Sequence, residues 1–110
     1  MTGYSGIHFE WTFHGRPRTS FGVELHFEGK RENNLSVFKF LKQFESDINS
    51  KIGQKVIFQD PWGTKWSRIY IEKQDGSLSS ESEDWAVNTM IVFIDVLKPN
   101  LEKYFAEQMS

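Results

Sequence analysis

All three histidines of this chain, His8, His14 and His26, fall near its start and alternate with carboxylates. His8, Glu10 and His14 occupy every second or fourth position of one run, and Glu24, His26 and Glu28 every second position of the next. Imidazole and carboxylate together are the donor set of a zinc or manganese site with a position open to water. Whether they meet depends on how the two runs pair. With Phe13 opposite Phe21, His8 faces His26 and Glu10 faces Glu24; a shift of two residues puts Glu10 opposite His26 instead. Directly opposed side chains have Cβ atoms about 4.5–5.5 Å apart, so His8, Glu10, Glu24 and His26 are the candidate metal ligands. The competing reading is a solvated polar face in which His and Glu merely alternate with the core. That reading is the expected one, with no metal and no catalytic residue assigned.

Glu28-Gly29-Lys30 has the E-x-K form in which nucleases hold Mg²⁺ and stabilise developing charge. Such sites need an earlier Asp opening a strand, commonly in a Pro-Asp pair, and here Asp60-Pro61 runs in the reverse order. The segment reads as a strand-end turn. A second group combines aromatics with cations: Trp66, Arg68, Tyr70 and Glu72 alternate on one face, with Lys55 and Gln59 as possible neighbours. Bases stack on such rings and guanidinium planes, and Trp, Tyr and Arg are equally the anchors of protein interfaces. Arg16 and Arg18, followed by Lys30 and Arg31, are placed to track phosphates. The expected partner-binding residues are therefore Arg16, Arg18, His26, Trp66, Arg68 and Tyr70. Trp62, in Asp60-Pro61-Trp62-Gly63, either packs under its own hairpin or marks an interface.

The elements that must position these groups are set by periodicity. Ile7, Phe9, Trp11 and Phe13 alternate with polar residues, as do Phe21, Val23, Leu25 and Phe27. A period of two with aromatic and β-branched residues on one face predicts two half-buried antiparallel strands. Gly29 and a polar run interrupt them, and from Val37 the period becomes helical through Phe38, Leu41, Phe44, Ile48 and Ile52. This predicts one amphipathic helix, capped by Asn33 or Asn34 and stopped by Gly53. Lys55–Gln59 is a short strand, Asp60–Gly63 a turn, and Trp66–Lys73 a fourth strand closed by Asp75-Gly76-Ser77. Ser80 and Glu83 form a capping box for a second helix from about Ser82, with Trp85, Thr89, Phe93, Val96 and Leu97 as its core stripe. Pro99 should end or kink it, while Leu101, Tyr104 and Phe105 suggest that a further helical turn or two still packs. Phe38, Leu41, Phe44, Trp85, Phe93 and Leu97 are expected core.

The prediction is an α+β two-layer fold, an antiparallel sheet with helices on one face in the order ββαββα, as a single domain over 1–110 with an ordered core of about 7–106. The 110 residues are 38% hydrophobic, 25% charged and 15% aromatic, the profile of an ordered domain. A net charge of −2 excludes nucleic-acid capture by bulk positive charge. The absence of cysteine excludes disulfide scaffolds, zinc knuckles and thiol chemistry. No apolar run approaches the ~18 residues of a membrane span, and the expected location is the cytoplasm. No GxGxxG, P-loop or Ser–His–Asp arrangement is present, and no cofactor is expected.

Four stretches carry a family resemblance: Gly22-Val23-Glu24-Leu25, Asn34 with Phe38 and Leu41, Trp66-Ser67-Arg68-Ile69, and Trp85, Met90, Phe93 and Pro99. In order and spacing, over roughly Phe9 to Leu101, the chain resembles the family called domain of unknown function 4268. That family is commonly C-terminal in longer bacterial and archaeal proteins, some with a restriction-endonuclease-type domain ahead of it. The resemblance implies an α+β fold and a setting in nucleic-acid processing or defence, and brings no catalytic residues. The helix that often precedes the family's first strand has no counterpart here. The function expected is a non-enzymatic accessory module docking protein or nucleic acid through its polar-aromatic sheet face. The alternative is a metal-dependent hydrolase or nuclease using the His/Glu cluster. Self-pairing through an open sheet edge would make a homodimer.

Overall fold

Alternation drives the first hairpin: β1 (Ile7–His14) and β2 (Ser20–Phe27) pair antiparallel with Phe13 opposite Phe21, His8 opposite His26 and Glu10 opposite Glu24. The computed structural model describes residues 4, 6–14, 20–73 and 79–108. Arg16 and Arg18 lie outside the described residues, as does the Asp75-Gly76-Ser77 closure. The second hairpin is β3 (Ile57–Trp62) with β4 (Trp66–Lys73), and β4 pairs antiparallel with β2, giving the sheet order β1-β2-β4-β3. With the helices this is the α+β fold in the order ββαββα.

One face of the sheet carries Val23, Leu25, Phe27, Ile69 and Ile71, all essentially without solvent contact. Against it pack α1 (Arg31–Lys42), α2 (Glu45–Ile52) and α3 (Ser80–Gln108) through Leu41, Ile48, Phe93, Leu97 and Leu101. The apolar spacing chose these residues correctly: Phe38, Leu41, Phe93 and Leu97 are buried, while Phe44 and Trp85 pack at the core's margin. No helix of the described residues is long and apolar enough to cross a membrane.

Four local expectations are corrected. The predicted single helix is two, broken at Gln43 and Phe44, because a turn there preserves the three-four spacing of the apolar residues. Lys30, not Asn33 or Asn34, caps α1; Asn34 is buried in the first turn, where its amide holds the backbone of Gly29 and the carbonyl of Lys65. Gly53 does stop α2, in a left-handed conformation. Helix α3 starts at Ser80, with the Ser79 hydroxyl accepting the Ser82 N–H at 3.1 Å, and runs uninterrupted past Pro99. Its core stripe also continues past Pro99, through Leu101 and Tyr104, so packing keeps the C-terminal turns on the core. Finally, the turn after β3 is Gly63–Lys65; Asp60, Pro61 and Trp62 belong to the strand, where the register shifts between Gln59 and Trp62.

Candidate metal-binding and partner-binding site

The other face of the sheet carries the residues with chemistry. Side chains directly opposed in an antiparallel sheet share a face. The pairs His8–His26, Glu10–Glu24, His26–Arg68, Glu24–Tyr70 and Gln59–Arg68 therefore put all of these on one continuous outer surface. Among the described residues no helix packs over it, yet Glu24 is 0% and His26 1% exposed. The sheet's own side chains do the covering. The Trp62 ring lies on His26 with centroids 4.3 Å apart, and the Arg68 guanidinium sits 4.9 Å from the Trp62 ring and 4.3 Å from that of Tyr70. Trp62 thus packs over its own sheet, which answers the question its position in the sequence left open.

Burial of Glu24 demands a partner, since an unpaired buried carboxylate is costly. Arg68 supplies it: Nη1 donates to Glu24 Oε1 at 3.1 Å while Nε donates to Gln59 Oε1 at 2.6 Å. Glu24 Oε1 also lies 2.7 Å from His26 Nε2. With a guanidinium on the same oxygen, Glu24 is the acceptor and His26 Nε2 carries the proton. The other ring nitrogen, Nδ1, is 2.8 Å from Glu10 Oε1 and 3.2 Å from Glu28 Oε2. On the far side His8 Nε2 is 3.1 Å from Glu10 Oε2 and 3.5 Å from Glu28 Oε1.

The expected quartet is thereby changed by one member. His8, Glu10 and His26 converge as proposed, but Glu28 takes the place of Glu24, which turns instead toward Arg68. Glu28 is positioned by the backbone: its N–H donates to the Gly6 carbonyl at 2.7 Å. Gly6 has φ +76°, and a Cβ there would stand 3.0 Å from the Gly29 backbone, so this approach requires glycine. Gly6 and Tyr4 therefore take part in the structure ahead of β1, the Tyr4 ring stacking on Phe105 with centroids 4.1 Å apart. Glu28 of the E-x-K stretch joins the His/Glu cluster, whereas Lys30 is exposed at the helix cap.

A clamp fixes the strand that carries Trp62. Arg31, in the first turn of α1, donates to both Asp60 oxygens at 2.5 and 2.9 Å, and Ser67 donates to the same carboxylate. Arg31's hydrogen bonds, opposed by partial burial and aided by Ser67, hold the Asp60 carboxyl below the usual carboxylate range, and the pairing raises Arg31 in turn.

The predicted partner-binding residues separate by exposure. His26 is buried and Arg68 is 14% exposed and engaged, so neither offers a free anchor; Tyr70 is half-buried, and Trp66 keeps 37% of its surface open. Trp66 faces Trp62 across the hairpin with centroids 5.8 Å apart. Periodicity identified the shared face, but burial on it depends on β2 and β4 being neighbours, a pairing that the spacing of a single sequence does not specify.

The architecture is that of a small α+β domain with one face of its sheet under helices and a polar-aromatic opposite face. The chain belongs to the family described as Domain of unknown function (DUF4268), whose model matches residues 1–108. No curated protein and no solved structure gives a significant match to the chain.

Proposed function

We propose that the chain is a non-enzymatic accessory module, in keeping with the nucleic-acid-processing or defence setting that the family resemblance implies, and that it docks single-stranded nucleic acid through the tip of the β3–β4 hairpin. The observation that carries this is Trp66, 37% exposed at the end of an uncovered sheet face and backed by Trp62. Exposed tryptophans offer bases a stacking surface worth about 1–3 kcal/mol per base. The local charge agrees. Asn34 bonds the carbonyls of Gly29 and Lys65 at 3.0 and 3.1 Å, which brings exposed Lys30 and Lys65 to the same rim. The carboxylates of the β1–β2 half disfavour phosphate, so the binding strip is confined to the aromatic half.

A residue-resolved chemical-shift titration of the full chain with a mixed-sequence single-stranded DNA at low salt tests this. Shifts should centre on Trp66, Tyr70, Lys65 and Lys30, fade with added salt, and vanish in Trp66→Ala. Absence of shifts, or shifts indifferent to Trp66→Ala, would sink the reading and leave a protein partner or self-pairing to be tested in its place.

A further inference from the structure

The His8, Glu10, His26 and Glu28 side chains turn their donor atoms toward one point on the outer face. One donor atom from each residue can be chosen so that all four lie within 4.8 Å of one another. The imidazole–carboxylate separations are 2.8, 3.1, 3.2 and 3.5 Å. These separations use a different oxygen of each carboxylate for each ring, so one oxygen per carboxylate has to settle between the two imidazoles to reach the roughly 3.3 Å spacing of ligands on a tetrahedral ion. A string of hydrogen bonds would give similar distances but needs aligned protons. His26 Nδ1 is fully buried and, among the described residues, has no aligned hydrogen-bond partner, although a carboxylate oxygen lies 2.8 Å away. In the neutral ring that donates to Glu24 through Nε2, Nδ1 turns a lone pair toward two carboxylates. A lone pair facing anions repels them unless a cation stands between.

We infer that these four side chains form a divalent transition-metal site of zinc type. Two imidazoles with two carboxylates suit zinc, whereas Mg²⁺ and Ca²⁺ favour oxygen ligands throughout. Glu24 is the positioning residue. It holds the His26 proton on Nε2 and frees Nδ1 to ligate, in the carboxylate–histidine–metal arrangement that commonly supports such ligands. Arg68 donates to the same Glu24 oxygen and fixes it in that role, and the Gly6–Gly29 contact holds Glu28 in reach. The ion would also neutralise part of the negative charge that the two carboxylates bring to this half of the face.

The test is a calorimetric titration of the chelator-treated full chain with zinc chloride and separately with magnesium chloride, paired with imidazole ¹⁵N spectra. One equivalent of zinc should bind, magnesium at the same concentration should not, and His26 Nδ1 and His8 Nε2 should shift on binding. Glu24→Gln should weaken zinc about 10–100-fold at unchanged stoichiometry, and loss of a direct ligand should cost more. His26→Gln tests the buried ligand, but that variant is liable to misfold. His8→Gln and Glu28→Gln remove partly exposed ligands instead, and their fold is checked by the amide spectrum. A folded wild-type chain that takes up no zinc would overturn the inference. So would zinc affinity unchanged in both His8→Gln and Glu28→Gln, since the ion would then sit elsewhere.

Discussion

On the β1–β2 half of the outer face stand His8, Glu10, Glu24, His26 and Glu28; on the β3–β4 half stand Gln59, Trp62, Trp66, Arg68 and Tyr70. The halves share one uncovered sheet surface and differ in what each does with charge. In the first, carboxylates outnumber cations, and the two innermost groups, Glu24 and His26, are more deeply buried than many core residues. In the second, one guanidinium lies among aromatic rings, and a large apolar side chain, Trp66, is left in solvent. Arg68 connects them, bonded to Glu24 on one side and to Gln59 on the other. The difference teaches that burial on a sheet does not require a second layer. Long side chains lying across their neighbours suffice, and an ion pair placed beneath them is as dry as one under a helix.

That view assigns Arg68 chiefly to the fold and Trp66 to recognition, and the sharpest way to break it is to truncate each. Arg68→Ala leaves the buried Glu24 carboxylate without its cation, a defect that typically costs about 3–5 kcal/mol. Trp66→Ala removes a partly exposed ring and should cost no more than about 1 kcal/mol. Urea denaturation of the two variants compares them directly. Equal losses would mean that the aromatic half is as structural as the other. Arg68→Ala is for the same reason a poor probe of partner docking, because lost binding and lost fold would coincide.

The next effect concerns how the His/Glu half is held at its end. Gly6→Ala sets a side chain at φ +76° and 3.0 Å from the Gly29 backbone. A non-glycine residue in such a conformation costs on the order of 1–3 kcal/mol, and the displaced strand end would carry Glu28 away from His8 and His26. Thermal unfolding should record the lower stability, and the His8 and His26 ring signals should move while those of Trp66 stay. If the Trp66 indole shifts as much as the histidines, the two halves are not independently supported.

Much of this contrast is legible in the sequence. Alternation put His8, Glu10, Glu24 and His26 on one face of a hairpin and Arg68 and Tyr70 on one face of another strand, but left two registers open, of which the fold adopts Phe13 opposite Phe21. It did not reveal that β2 lies between β1 and β4. Opposition across β1–β2 alone makes Glu24 the natural partner of Glu10, and only the second neighbour, β4, brings the arginine that draws Glu24 away and leaves Glu28 to complete the cluster. Trp62 escaped for a different reason. Asp-Pro and a following Gly have the chemistry of a turn, and the clamp that keeps Asp60 in the strand comes from Arg31, far off in sequence. The break at Phe44 was hidden because the apolar spacing runs across it, whereas the same continuity in Leu101, Tyr104 and Phe105 did point to helical packing beyond Pro99.

The clamp also offers the smallest effect expected. Asp60 joins β3 to α1 through Arg31, a partly exposed pair whose strength water limits. In the folded chain its carboxyl is held below the usual range, chiefly by the hydrogen bonds from Arg31, while in the unfolded chain it titrates near about 3.9. The folded state therefore binds its proton less readily than the unfolded state. The resulting stabilisation is complete above the unfolded value and disappears as the pH falls through the lower folded value, where both states are protonated. Asp60→Asn lacks the charge at every pH. Wild type should be the more stable protein by a constant small margin from about pH 7 to pH 5, with the margin closing below about pH 4. Urea midpoints of both proteins across that range measure it. Because the same clamp sets where Trp62 lies, the substitution should also perturb the His26 ring beneath Trp62 more than it perturbs His8. A margin that persists undiminished to the lowest pH would mean that Asp60 acts through shape rather than charge, and a His26 signal that does not move would separate the clamp from the site altogether.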